Sequence, residues 1–93
     1  MAHRVVWSPR ALADVEAIAA YIASDSITYA KAVVRKILAS TRTLEHFPRA
    51  GRKVPEFDNE TIRELFVYSY RIIYAVEEGQ VTVAAVIHGK RML

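Results

Sequence analysis

From Arg63 to Val76 the chain reads RELFVYSYRIIYAV. β-Branched and aromatic residues fill this stretch, a composition that suits paired strands. Yet Arg71 stands between Tyr70 and Ile72, inside the apolar run. A guanidinium stays charged at every accessible pH, and burying it without a partner is costly. Side chains alternate across a strand, so Arg71 shares a face with Ile73 and Ala75, while Ile72, Tyr74 and Val76 take the other. If helices cover the second face, Arg71 points to the less covered one. There it can meet Glu64 of the neighbouring strand, an acidic residue of the tail, or an acidic partner.

The helices are legible upstream. HRVVW (His3 to Trp7) reads as a short strand. Ser8 then caps a helix with Pro9 in its first turn, where the missing N–H does no harm. Leu12, Val15, Ile18, Ala19 and Ile22 recur at helical spacing, which predicts a helix over Pro9 to Ala23. Asp25 or Ser26 caps a second helix with the stripe Ala30, Val33, Val34, Ile37, Leu38, Thr41 and Leu44, ended by Phe47-Pro48. So short a connection predicts an antiparallel hairpin.

Pro48 to Glu60 (PRAGRKVPEFDNE) is the one long irregular stretch. Three strands follow, at about Ile62 to Val67, Tyr70 to Val76 and Val81 to Ile87, joined by tight turns at Tyr68-Ser69 and in EEGQ. Tight connections predict an antiparallel meander. The expected fold is therefore α+β: one sheet from the N-terminal strand and the meander, with the helical hairpin packed on one face. At 93 residues the chain forms one domain over 1–93, and a chain of this size buries about 60–65% of its unfolded surface.

Composition excludes several chemistries. There are no cysteines, so disulfide and thiolate chemistry are absent. His3, His46 and His88 lack ligand spacing, so no metal site and no cofactor are expected. No segment approaches the ~20 apolar residues of a membrane span, and MAHRVVWSPR has no secretory signal pattern; a cytoplasmic location is expected. The net charge of +3 is compatible with nucleic acid or an acidic protein.

Four phrases in order carry a resemblance: VVWSPRALADVEAIAAYI, LEHFPRAGRKV, IRELFVYSYRIIYAV and VTVAAVIHGKR. Together they resemble the ParE/RelE superfamily of toxins from bacterial toxin–antitoxin pairs. That resemblance implies a small basic toxin neutralised by a tightly bound antitoxin. It also implies one of two targets: DNA gyrase for ParE-like members, or mRNA on the ribosome for RelE-like ones. A RelE-like ribonuclease works without metal, so its side chains must activate a ribose hydroxyl, steady a phosphate and protonate the leaving oxygen. By resemblance, Arg71 and Arg91 would clamp phosphate and His88 would serve as acid or base. The two strand lysines of that set fall on Ile62 and Glu64, which supply neither a proton nor a positive charge. The departure favours the ParE-like, gyrase-directed branch; an inactive relative that only binds an antitoxin is the third reading.

Each of these residues has a plainer role. Arg71 can be structural or contact the antitoxin, and His88 can simply end a strand. Tyr68, Tyr70 and Tyr74 can pack in the sheet or stack on bases. Arg49, Arg52 and Lys53 can be a solvated loop. Together with Arg63, Arg71, Lys90 and Arg91 they are the candidate target-binding face, provided that they converge. Leu12, Val15, Ile22, Val34 and Ile37, on the helical stripes, are the candidate antitoxin contacts, because apolar grooves accept amphipathic helices.

Overall fold

The computed structural model describes residues 2–90. Strand β1 (Arg4–Trp7) is followed by α1 (Pro9–Ala23) and α2 (Ile27–Arg42), then β2 (Arg52–Lys53), β3 (Ile62–Val67), β4 (Tyr70–Glu77) and β5 (Gln80–His88). The sheet has five strands in the order β1-β5-β4-β3-β2. β1 lies parallel to β5, and the other pairs are antiparallel. The expected α+β architecture is present, with the two-residue strand β2 added from the loop.

Capping sets the helix starts. The Ser8 hydroxyl accepts the Ala11 N–H at 3.0 Å, and the Ser26 hydroxyl accepts the Tyr29 N–H at 3.1 Å, which selects Ser26 over Asp25 as the second cap. The second helix ends earlier than expected, and Thr43–Glu45 form a 3-10 turn. Thr41 and Thr43 donate their hydroxyls to the carbonyls of Leu38 and Ser40, a local alternative that loosens the regular ladder.

The main core lies between the hairpin and the sheet, around Ala11, Val33, Ile37, Ile72, Val83 and Val86. Val33 and Ile37 have no exposed surface, and each such burial contributes roughly 1.5–3 kcal/mol. A bulge at Ala84 shifts β5, so that Tyr74 faces Val83 while Ile73 faces Ala85. The extra residue moves Ala85 and Ile87 to the other face. There they join Val54, Ile73 and Ile62 in a second cluster. The face expected to stay open is therefore largely closed by the chain's own 53–61 loop.

Tyr68, in the β3–β4 turn, is the one non-glycine with positive φ (53°) among the described residues. Such a conformation costs about 1–3 kcal/mol. Its ring packs 6.2 Å from that of Tyr29.

Candidate functional site

β3 and β4 pair with Phe66 opposite Arg71 and Glu64 opposite Ile73. Glu64 is thus the diagonal neighbour of Arg71 on one face, within reach of long side chains. Arg71 Nε donates to Glu64 Oε1 at 2.7 Å. Its Nη1 and Nη2 donate to the two oxygens of Glu56 at 2.9 Å each. Glu64 Oε2 accepts from Arg52 Nε at 2.6 Å, because β2 sets Arg52 opposite Glu64. The Arg52 guanidinium also lies 5.1 Å over the Phe66 ring. The hydrogen bonds that Arg71 donates to Glu56 outweigh the opposing effect of burial, and with Glu64 they raise the Arg71 pKa further.

Arg71 is only 5% exposed and the Glu64 side chain is fully buried. The reading that Arg71 waits on an unsealed face for an external anion is corrected: Glu56, from the irregular loop, covers it. Glu64 meets Arg71 as strand adjacency predicts, and Glu56 joins it from the loop. Nothing in the sequence marks Glu56, because its role depends on how the loop folds back.

Among the described residues, the candidate target-binding cations do not lie on one face of the sheet. Arg63 alternates with Glu64 across β3, so it points to the opposite side of the sheet. It donates to the Gly51 carbonyl at 3.0 Å and to Glu60 Oε2 at 3.1 Å. Lys53 pairs with Asp58 at 3.0 Å, and Arg49 donates to the Glu60 carbonyl at 3.3 Å. Lys90 is exposed beyond β5, and Arg91 lies outside the described residues. The loop cations are largely balanced by Glu56, Asp58, Glu60 and Glu64.

His88 sits opposite Tyr70 on β5, its ring 5.9 Å away and edge-on. Together with Ile18, Tyr21 and Tyr70 it lines a cleft beside α1. That is the helix-covered face, whereas Arg71 belongs to the other. Of the three candidate catalytic groups, Arg71 and His88 therefore do not converge, and Arg91 lies outside the described residues.

On the hairpin, Ile37 is fully buried and Ile22 is 8% exposed, so both are core residues. Val15 and Val34 are half-buried, and Leu12 is 51% exposed. Of these five, Val34 lines an apolar groove of about 580 Å³ between the helices, with Ala19, Ala20, Ala23, Ile27 and Ala30 as other walls. Lys31 and Arg35 rim it. Helix α2, ITYAKAVVRKILASTR, carries four cations and no acidic residue. None of Lys31, Arg35, Lys36 and Arg42 forms an ion pair among the described residues. The unbalanced charge thus lies on α2, a feature visible in the sequence as a helix with one sign of charge.

The loop is anchored from beneath by Tyr74, which is fully buried. Its hydroxyl accepts the Gly51 N–H at 2.9 Å. Burial raises its pKa, against the smaller lowering effect of that hydrogen bond. The neutral phenol is thus favoured in the folded state. Stability from this group is fully present below the ordinary tyrosine value of about 10 and falls as pH rises past it. Denaturant melts between pH 8 and pH 11 should show a steeper alkaline loss in the parent protein than in Tyr74→Phe. Equal slopes would mean that the phenol is hydrated.

The architecture is thus a helical hairpin on a mixed five-stranded sheet, with a charged loop folded against the far face. The family model described as the ParE toxin of type II toxin–antitoxin system, parDE, matches residues 5–93. The chain belongs to that family, within the wider ParE/RelE superfamily. It is 34% identical over 90 residues to Toxin RelE2 of Caulobacter vibrioides, covering 96% of this chain and 98% of that protein. Among solved structures, it superposes on a chain of the chromosomal ParDE toxin–antitoxin system from P. aeruginosa with a TM-score of 0.75, at 18% identity, covering 92% of this chain and 95% of that one. It also superposes on the YoeB dimer from Staphylococcus aureus with a TM-score of 0.67, at 16% identity, covering 95% and 98%. At these identities the two structures speak to the fold. Among the described residues no helix is long and apolar enough to cross a membrane.

Proposed function

We propose that this toxin acts in the cytoplasm by holding and inhibiting DNA gyrase and is silenced by a cognate antitoxin. The observation that carries this reading is the separation of Arg71 and His88 on opposite sheet faces. A ribonuclease working without metal needs its phosphate clamp and its proton carrier around one phosphate. Here Arg71 is held by two carboxylates, and Ile62 and Glu64 stand where lysines would assist. A toxin that works by binding needs no such convergence.

The groove between α1 and α2 supports the antitoxin half of the reading. Its alanine floor leaves room for large apolar side chains, and Lys31 and Arg35 on its rim suit acidic ones. An amphipathic helix with an acidic flank has that chemistry. The expected complex is a hetero-oligomer with the antitoxin over the hairpin.

The second reading is a RelE-like ribonuclease, favoured by the 34% identity to a protein named Toxin RelE2. Purified toxin incubated with gyrase and supercoiled plasmid should trap cleaved DNA, while programmed ribosomes should keep their mRNA whole. His88→Ala should leave growth arrest within about twofold, whereas loss of a general acid costs about 10²–10⁴-fold. A-site cleavage of mRNA, abolished by His88→Ala in a folded protein, would replace the gyrase reading with the ribonuclease one.

A further inference from the structure

Of the five tyrosines in the chain, Tyr74 is buried and the other four line one cleft of about 350 Å³. They arrive from separate elements: Tyr21 from the last turn of α1, Tyr29 from the first turn of α2, Tyr68 from the β3–β4 turn and Tyr70 from the start of β4. Tyr21, Tyr29 and Tyr68 are each more than half exposed. The Tyr29 and Tyr68 rings stand 6.2 Å apart at 56°, and Tyr70 meets His88 edge-on at 5.9 Å. Tyr68 is held there against its backbone preference. The turn between β3 and β4 has two residues, and only the first has a positive φ, 53°. Glycine is the residue favoured at that position, and a tyrosine there is strained. An exposed ring kept in place at a cost in backbone energy points to work outside the fold.

The charge of the cleft narrows the ligand. Asp25, one position before the Ser26 cap, is its acidic lining residue, and no lysine or arginine lines it. Asp25 is exposed and forms no ion pair among the described residues. Arg10 belongs to the next cleft, beyond Tyr21 and Tyr70, and is balanced there by Asp14 at 3.1 Å. Tyrosine rings attract cations to their faces, and the free carboxylate adds to that pull while repelling a phosphate. A guanidinium answers both: its plane stacks on a ring and its N–H fork pairs with a carboxylate, which the point charge of an ammonium does less well. We propose that the cleft of Tyr21, Tyr29, Tyr68, Tyr70 and Asp25 receives an arginine side chain presented by a protein partner. The groove between the helices, rimmed by Lys31 and Arg35, suits acidic side chains, whereas this cleft at the same α1–α2 turn takes a basic one. The two sites therefore read different segments of a partner, and the cleft is independent of whether gyrase or mRNA is the target.

The test titrates acetyl-Gly-Arg-Gly amide into the full chain by amide NMR at constant ionic strength, beside the same peptide with lysine or citrulline in place of arginine. The arginine peptide should bind in the millimolar range and shift the amides of Asp25, Tyr29 and Ser69. Asp25→Asn should weaken it about tenfold, on the scale of a hydrogen bond to a charged group. Asp58→Asn removes the same charge from the distant loop and should stay within about twofold, on the scale of an exposed pair. Equal losses in both would reduce the effect to net charge and overturn the site. Tyr68→Gly relieves the turn, so it should melt no lower than the parent yet bind about two- to fivefold weaker, the scale of one exposed cation–π contact. Binding unchanged in Tyr68→Gly would overturn the site. Asp25→Asn decides the question if Tyr68→Gly melts early. Lysine or citrulline peptides binding as tightly as the arginine one would overturn the guanidinium assignment. Guanosine monophosphate displacing the peptide at a lower concentration would make this a nucleotide site instead. Self-association of the parent that is lost in Asp25→Asn would give the cleft to a second copy of this chain and overturn the partner.

Discussion

Glu64→Ala should lower the unfolding free energy by about 3–5 kcal/mol, the cost typical of removing one partner from a buried ion pair. For a chain of 93 residues the whole stability is about 5–14 kcal/mol, so the variant would sit near its folding threshold. The reason is local. Arg71 is 5% exposed and has no path to bulk water when Glu64 is gone. Glu56 then faces a guanidinium whose Nε has lost its acceptor. Arg52 fares better, because its side chain is 59% exposed and can turn into solvent. Urea melts of the two proteins give the difference directly. A loss below about 1 kcal/mol would mean that water reaches Arg71 and that the network is not a sealed one.

The matching control is Glu64→Leu combined with Arg71→Met. Replacing a buried pair with apolar groups of similar volume is often neutral or stabilising. The double variant should therefore recover most of the loss, because Ile73, Ile87 and Val54 already make that face apolar and Glu56 can move to water. Such a recovery would mean that folding does not require the charged pair.

The helices were readable because their signals are local: Ser8 and Ser26 cap, and the apolar stripes repeat. Helix α1 begins and ends where the pattern of leucine, valine and isoleucine says it should. The meander was readable because each turn is short. The site was not, because it is made by a non-local event. Arg71 announced a need for negative charge, and Glu64 could be guessed from strand adjacency. Glu56 lies 15 positions away in sequence, in a stretch whose prolines and acidic residues say only that it is irregular. The bulge at Ala84 was hidden for a related reason. The run VTVAAVIH is apolar on both faces, so alternation along it carries no information about where the register slips. Clustering of Arg49, Arg52, Lys53 and Arg63 in sequence suggested a positive face, but the intervening Glu56, Asp58 and Glu60 fold back among them.

Gly51→Ala should be comparably damaging, by about 2–6 kcal/mol, and the cause begins with space. A Cβ at this position would lie 2.3 Å from the Glu64 carbonyl oxygen and 2.8 Å from the Tyr74 hydroxyl. The first contact is to backbone in the middle of β3, which cannot step aside without breaking its ladder to β4. The chain at residue 51 must therefore lift away. Lifting it parts the Arg52–Glu64 register of β2 and takes the Gly51 N–H from Tyr74. Overpacking of this kind costs about 1–3 kcal/mol, and a buried hydroxyl left without a partner costs about 1–3 kcal/mol more. Gly79→Ala is the contrast. Gly79 has φ of +71° but nothing within 4 Å of a new Cβ, so it should lose only the ~1–2 kcal/mol of left-handed backbone strain. Hydrogen exchange identifies the mechanism. In Gly51→Ala the Val54 amide, which donates to the Ile62 carbonyl at 3.2 Å, should exchange faster, while the Ile72 amide of the central strand changes only as far as global stability does. If both amides shift equally, the loop is not a separate unit resting on the sheet.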